Sequence, residues 1–193
     1  RVVVGDGGDE LLFNLLLAYG GPGRALVNCP PTFSAYELYA KLTATRVVNV
    51  ERDPETFALN EERLVAAASE PDASLIILTS PNNPTGNLSS PEFVRRLATS
   101  TSALVLVDEA YGEFCDEGSS CVPLVDELPN VCVLRTLSKA YALAGARVGY
   151  LICPDCVADA LLAVRLPYSV NRMSQVVAET VVEMRDEFAP VIE

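Results

Sequence analysis

The sequence predicts an α/β protein in which a mostly parallel sheet of about seven strands lies between layers of helices. Short apolar segments alternate with longer amphipathic ones along the 193 residues, and half of the residues are hydrophobic. Strands that are covered by helices on both faces form near-continuous apolar runs, as these segments do. The length and composition therefore predict one large domain with a sizeable core.

Seven apolar segments are predicted to form the strands, and they span residues 2–4, 24–28, 46–50, 75–78, 104–107, 131–134 and 148–152. Six segments with a helical pattern lie near residues 9–18, 33–42, 60–68, 91–100, 155–165 and 173–185. Prolines and glycines separate many of these segments, as turn residues do. The alternation of strands with helices favours a largely parallel sheet.

The first predicted strand runs into Gly5, Gly7 and Gly8 and then into a helix. Amide groups at such a helix start have no intrahelical partner and can bind phosphate. The segment does not match the dinucleotide-binding pattern G-x-G-x-x-G, because Glu10 stands where the third glycine belongs.

Two later strands end in polar residues, at the edge where open α/β sheets bind ligands. Residues 75–78 lead into a turn that contains Asn83, and residues 104–107 lead into Asp108 and Glu109. A plain Asn-Pro turn and an acidic strand cap are the structural alternatives for these two segments.

A third strand end carries Lys139, with Thr136 and Ser138 before it and Arg147 after it. A lysine can form a Schiff base with an aldehyde cofactor, and nearby hydroxyls and a guanidinium can hold a phosphate. A surface lysine at a strand-to-helix turn is the structural alternative.

These segments resemble the motifs of fold-type-I pyridoxal-phosphate (PLP) aminotransferases. The matches are G-x-G-x-D-E at 5–10, P-T-F-x-x-Y at 31–36, N-P-T-G at 83–86, D-E-A-Y at 108–111 and S-K-A-Y-A-L-A-G-x-R-x-G-Y at 138–150. The last of them is similar to the histidinol-phosphate aminotransferase branch. The resemblance implies that residues 1–193 are the PLP-binding large domain, whose mixed sheet has one antiparallel strand.

The resemblance also implies a role for ten residues. Lys139 would hold PLP and act as general base and acid, and Asp108 would keep the ring nitrogen protonated. Asn83 and Tyr111 would hydrogen-bond the ring oxygen. Phe33 would stack on the ring, and a core aromatic is the alternative for it. The phosphate ligands would be Gly8, Asp9, Thr136, Ser138 and Arg147.

The implied reaction transfers an amino group between an amino acid, or an amino-alcohol phosphate such as histidinol phosphate, and a 2-oxoacid. The family's N-terminal arm and small C-terminal domain are expected outside residues 1–193, so the fragment alone is expected to be inactive. The full-length protein is expected to be a homodimer. A threonine-phosphate decarboxylase-like enzyme and a non-catalytic PLP-binding regulator domain are the alternatives.

Net charge and hydropathy argue against several other partners and locations. The net charge of −12, from 14 basic and 26 acidic residues, argues against nucleic acid and against an anionic membrane surface. No apolar run approaches the roughly 20 residues of a transmembrane helix. No signal peptide is recognisable, so a cytoplasmic location is expected.

The six cysteines are expected to be free, in a reducing compartment. The C-x-x-C at 153–156 has no second pair, and the chain contains no histidine, so no metal site is expected. A redox motif is the alternative for this pair.

Overall fold

The computed structural model describes residues 1–192 and contains a seven-stranded sheet with the order β1-β7-β6-β5-β4-β2-β3. Strand β7 runs antiparallel to both of its neighbours, β1 and β6, and the other six strands share one direction, so the predicted mostly parallel sheet is confirmed. The strands are β1 (Val2–Asp6), β2 (Ala25–Asn28), β3 (Arg46–Asn49), β4 (Ala73–Thr79), β5 (Leu104–Asp108), β6 (Val131–Thr136) and β7 (Val148–Ile152).

The described residues also form seven α-helices, which include the six predicted ones. They are α1 (Gly7–Tyr19), α2 (Ala35–Leu42), α3 (Glu61–Ala68), α4 (Pro91–Ser100), α5 (Asp155–Val164), α6 (Arg172–Glu183) and α7 (Ala189–Ile192). Helix α1 begins two residues before the predicted start, because β1 continues to Asp6 and passes directly into the helix. Asn60, Ser90 and Asn171 cap α3, α4 and α6 through their side-chain oxygens.

Successive residues of the central strands bury their side chains in opposite layers, as the period of a strand requires. Ile77 and Leu106 face a first apolar layer, which contains residues of α1, α2 and α5. Ile76 and Val105 face a second layer, which contains residues of α3 and α4. Each of these four side chains is almost fully buried. The sheet is therefore held from both faces, and its strand ends are fixed by the packing of the core.

Three further structural features concern membrane-spanning helices, metal ligands and the cysteines. None of the helices in residues 1–192 has the length and apolar character needed to span a bilayer. Across the same residues, no group of three or more acidic, cysteine or histidine side chains is placed to hold a metal ion. The cysteines of the C-x-x-C differ in environment, since Cys153 is buried and Cys156 is exposed, and neither forms a disulfide.

Candidate active site

The carboxyl ends of three neighbouring strands bring polar side chains to one cleft. Thr79, Asp108 and Thr136 are the last residues of β4, β5 and β6, and Thr79 lies opposite Asp108 in the sheet register. The cleft is open to solvent and has a volume of about 110 Å³.

All ten residues that the sequence singled out line this cleft. They are Gly8, Asp9, Phe33, Asn83, Asp108, Tyr111, Thr136, Ser138, Lys139 and Arg147. They come from six separate stretches of the chain, and the sheet order brings these stretches together.

The start of α1 is fixed against Arg147 at one end of the cleft. The Gly7 amide donates to the carbonyl oxygen of Arg147 at 3.0 Å, and Arg147 Nη2 donates to Asp9 Oδ2 at 3.0 Å. Gly7 has a φ of +73°, and a Cβ on it would lie 2.3 Å from Arg147 Nη2. A Cβ on Gly149 would lie 2.6 Å from the Gly8 nitrogen. The backbone contact requires glycine at Gly149, whereas at Gly7 the positive φ favours glycine and a Cβ would displace the end of the Arg147 side chain.

This end of the cleft is suited to an anion. The first amide groups of α1 have no intrahelical acceptor, and the helix dipole adds positive potential at the same place. Arg147 contributes a guanidinium beside them. The hydroxyl oxygens of Thr136 and Ser138 lie 3.0 Å apart, and the Ser138 amide donates to Thr136 Oγ1 at 3.1 Å. This set of donors matches the oxygens of a phosphate group.

Lys139 follows this hydroxyl pair and lies over an aromatic ring. Its Nζ is 5.4 Å from the centroid of the Tyr111 ring, a cation–π contact. Lys139 is exposed, so its amine is accessible to a molecule in the cleft. Thr136 Oγ1 also lies 3.2 Å from the Val148 carbonyl oxygen, and it thereby anchors the segment that leads to the lysine.

Asp108 is a buried carboxyl group that lacks a cationic partner. Its Oδ2 accepts from the Tyr36 hydroxyl at 2.7 Å, and its Oδ1 accepts from the Ala110 amide at 3.0 Å. None of the ion pairs within residues 1–192 includes Asp108. Burial raises the pKa of Asp108, the two hydrogen bonds oppose that rise, and the acids Asp9 and Glu109 add to it. A cationic group in the cleft would stabilise this carboxylate.

Glu109, the next residue, has a different environment. It is buried and paired with Arg135, whose Nη2 lies 2.6 Å from Glu109 Oε2. The Cys121 amide and the Ser120 hydroxyl also donate to its carboxylate, at 2.6 and 2.9 Å. The charge of Glu109 is thus balanced by Arg135 inside the protein, and Glu109 does not line the cleft. Of the two acids in the D-E-A-Y segment, only Asp108 faces the cleft.

Phe33 lies at the boundary between the core and the cleft. It is half-buried against the first apolar layer, and it also lines the cleft. Its ring meets the Tyr36 ring edge to face, with 5.5 Å between centroids. Such a ring is held in one orientation by the core while it presents surface to a ligand.

Three polar residues near the cleft were missed by the sequence reasoning. Tyr36 and Thr79 line the cleft. Asn82 is buried, donates to the Pro31 carbonyl oxygen at 3.0 Å and to Thr85 Oγ1 at 2.7 Å, and so holds the turn that presents Asn83. Tyr36 had a recognisable signal, because it is the second aromatic of P-T-F-x-x-Y. Thr79 and Asn82 had none beyond their places at a strand end.

Comparison with known proteins identifies the family. The profile described as "Aminotransferase class I and II" matches residues 1–191. The chain belongs to this family. It is 43% identical over 176 residues to the histidinol-phosphate aminotransferase of Chlorobium luteolum, covering 91% of this chain and 49% of that protein. It is 41% identical over 193 residues to the one from Thermobifida fusca, covering 100% of this chain and 52% of that protein.

The fold comparison agrees with this family membership. The crystal structure of histidinol-phosphate aminotransferase from Sinorhizobium meliloti in complex with pyridoxal-5'-phosphate superposes with a TM-score of 0.91 at 27% identity. The match covers 99% of this chain and 52% of the Sinorhizobium meliloti chain. The chain therefore spans about half the length of the curated relatives and the structure that it matches.

Proposed function

We propose that this chain is the PLP-binding large domain of an aminotransferase that acts on an amino acid or on an amino-alcohol phosphate such as histidinol phosphate. The observation that carries the proposal is the pairing, in one cleft, of an accessible Lys139 with a buried and cation-free Asp108. The names of the relatives support the same reaction class.

The residues of the cleft fit PLP at both of its charged ends. The α1 start, Arg147 and the hydroxyl pair provide donors for the phosphate, and the absence of a Cβ on Gly7 lets the Arg147 guanidinium lie against the α1 start. Asp108 provides a buried anion for the protonated ring nitrogen, which is the cation that this carboxylate lacks inside the protein. Asn83 and Tyr111 would donate to the ring oxygen, and Phe33 would cover one ring face.

The chemistry then divides between the cofactor and the protein. When bound, PLP supplies an electron sink for negative charge at the substrate's α-carbon. Asp108 holds a proton on the ring nitrogen and so maintains that sink. Lys139 Nζ takes the proton from the α-carbon of the amino donor and returns it, as a general base and then a general acid.

The remaining features of the proposal concern the whole protein. Because the chain spans half of its relatives, we assign the N-terminal arm and the small C-terminal domain to sequence outside residues 1–193. The proposed partners are an amino donor and a 2-oxoacid, in a cytoplasmic homodimer.

The reaction is tested by supplying the complete protein with histidinol phosphate and 2-oxoglutarate, and separately with L-threonine O-3-phosphate. The proposal expects glutamate to form from the first pair and no carbon dioxide to be released from the second substrate. Release of carbon dioxide without amino transfer would assign the protein to the decarboxylases. Binding of PLP with neither reaction, and with no glutamate formed when the standard amino acids replace histidinol phosphate, would favour a regulator domain.

Replacing Gly7 with alanine is expected to weaken PLP binding by at least about tenfold, because the new Cβ displaces Arg147 from the phosphate position. Equilibrium titration with PLP measures this loss. Gly23→Ala is the matched control: Gly23 has a similar φ of +79°, but no atom lies within 4 Å of its Cβ position. Both variants should lose about 1–2 kcal/mol of stability from backbone strain. Equal affinity losses in both variants would contradict a specific role for Gly7.

A further inference from the structure

A chain of three hydroxyl groups connects Asp108 to the turn that presents Asn83. The Tyr36 hydroxyl lies 2.7 Å from Asp108 Oδ2 and 2.8 Å from Thr79 Oγ1. Thr79 Oγ1 lies 3.0 Å from Thr32 Oγ1, which donates to Asn82 Oδ1 at 2.8 Å. We call Tyr36, Thr79 and Thr32 the hydroxyl chain.

The two ends of the hydroxyl chain determine the direction of its hydrogen bonds. An ionised carboxylate only accepts, so Tyr36 gives its proton to Asp108. The Asn82 amide group already donates to Pro31 and Thr85, so its Oδ1 faces the chain as an acceptor and takes the proton of Thr32. Thr79 therefore donates its single proton either to Tyr36 or to Thr32. When it donates to Tyr36, it polarises the phenol and strengthens the bond to Asp108.

The phenol remains a donor over the whole working pH range. Tyr36 is fully buried, and burial, followed by the charge of Asp108, raises its pKa well above the usual value. The other groups that act on Asp108 are Asp9, Glu109 and the Ala110 amide. Asp9 and Glu109 are acids and favour protonation of Asp108. Tyr36 is therefore the one side-chain donor among the described residues that opposes them.

We propose that Tyr36 is a positioning residue for Asp108: its phenol O–H, oriented by Thr79, keeps the buried carboxyl ionised and in a single orientation at the cleft. The role assigned to the carboxylate rests on the proposed function, but the effect of Tyr36 on Asp108 does not. Tyr36→Phe removes a single oxygen atom and retains the ring that contacts Phe33.

The test is the titration of Asp108 in the complete, cofactor-free protein, followed by NMR of aspartate labelled with ¹³C at Cγ. Asp108→Asn identifies the resonance by its loss. The midpoint should rise by about one pH unit in Tyr36→Phe, as expected for one hydrogen bond to a charged group. A smaller rise is expected in Thr79→Val.

Tyr39→Phe is the matched control, because Tyr39 lies on the same helix and its hydroxyl bonds Asp9 at 3.2 Å instead. It should leave the Asp108 midpoint unchanged. An unchanged midpoint in Tyr36→Phe would overturn the proposal. If Tyr36→Phe does not fold, Thr79→Val provides the test. A rise in its Asp108 midpoint would support the proposal, and an unchanged midpoint would overturn it.

A second readout uses the protein loaded with PLP that carries ¹⁵N in the ring. In Tyr36→Phe a larger share of the proton between the ring nitrogen and Asp108 should lie on the carboxyl group, because Asp108 becomes the stronger base. The ¹⁵N chemical shift at neutral pH should therefore move toward that of the unprotonated ring, and an unchanged shift would count against the proposal even if Asp108 titrates differently. If the wild-type protein fails to bind PLP, the proposed function fails, while the cofactor-free titration still judges Tyr36.

Discussion

Replacement of Lys139 with alanine is expected to lower amino transfer by the complete protein by about 10⁴-fold. This is the upper range for the loss of a general acid–base group. PLP should remain bound without a covalent link, because Arg147 and the start of α1 are unchanged. Initial rates and the near-visible absorbance of the bound cofactor measure the two effects separately.

Lys41 provides the control for this substitution, since the chain contains only these two lysines. Lys41 lies exposed on α2, outside the cleft. Lys41→Ala should keep the wild-type rate and absorbance. If Lys139→Ala keeps a rate within tenfold of the wild type, Lys139 is not the group that transfers the proton.

Asp108→Asn is expected to retain PLP and to lower amino transfer by about 10²–10³-fold, the size of effect seen when a single electrostatic group is removed from an active site. An amide carries no charge and cannot hold the ring nitrogen protonated. Steady-state rates in the complete protein measure the loss. A rate near the wild-type value would contradict the role that we propose for Asp108.

The same variant should stabilise the cofactor-free protein at neutral pH. Burial raises the folded-state pKa of Asp108 above its unfolded value. The stability that its neutral form provides is complete below the unfolded pKa and is lost as the pH rises through the folded pKa. The amide introduced by Asp108→Asn does not titrate, so the advantage of the variant should grow over that range. Each unit of difference in pKa is worth about 1.4 kcal/mol.

Glu109→Gln should have the opposite effects on stability and on rate to those of Asp108→Asn. It disrupts a buried pair with Arg135, so stability should fall by about 3–5 kcal/mol. The rate per folded molecule should change little, because Glu109 does not line the cleft. Urea unfolding and rates corrected for the folded fraction separate the two acids. Greater stability of Glu109→Gln than of the wild type would contradict this assignment.

The parts of the fold that sequence could predict are those with local signals. The β5 strand was readable because Leu104, Val105, Leu106 and Val107 form one apolar run with a polar end. The role of Lys139 could be proposed from the sequence because its neighbours form a specific motif. Their arrival in one cleft followed from the rule that parallel strands place ligands at their carboxyl ends.

The hydroxyl chain could not be predicted in the same way, because its contacts are non-local. Tyr36 meets Thr79 and Asp108 across 43 and 72 residues of sequence. A tyrosine on an amphipathic helix is usual in a core, and only the packing of α2 against the sheet brings its hydroxyl to a carboxylate. The direct passage from β1 into α1 was missed for a different reason. It depends on a positive φ at Gly7, and a glycine in the sequence allows a positive φ without predicting it.

The residue to which PLP attaches covalently is the most direct test of the proposed site. The complete protein is incubated with PLP, reduced with borohydride, digested and analysed by mass spectrometry. We expect the label on the peptide that contains Lys139 and no label on the peptide that contains Lys41. Label on Lys41 alone, or on neither peptide at saturating PLP, would contradict the claim that this cleft is the PLP site of an aminotransferase.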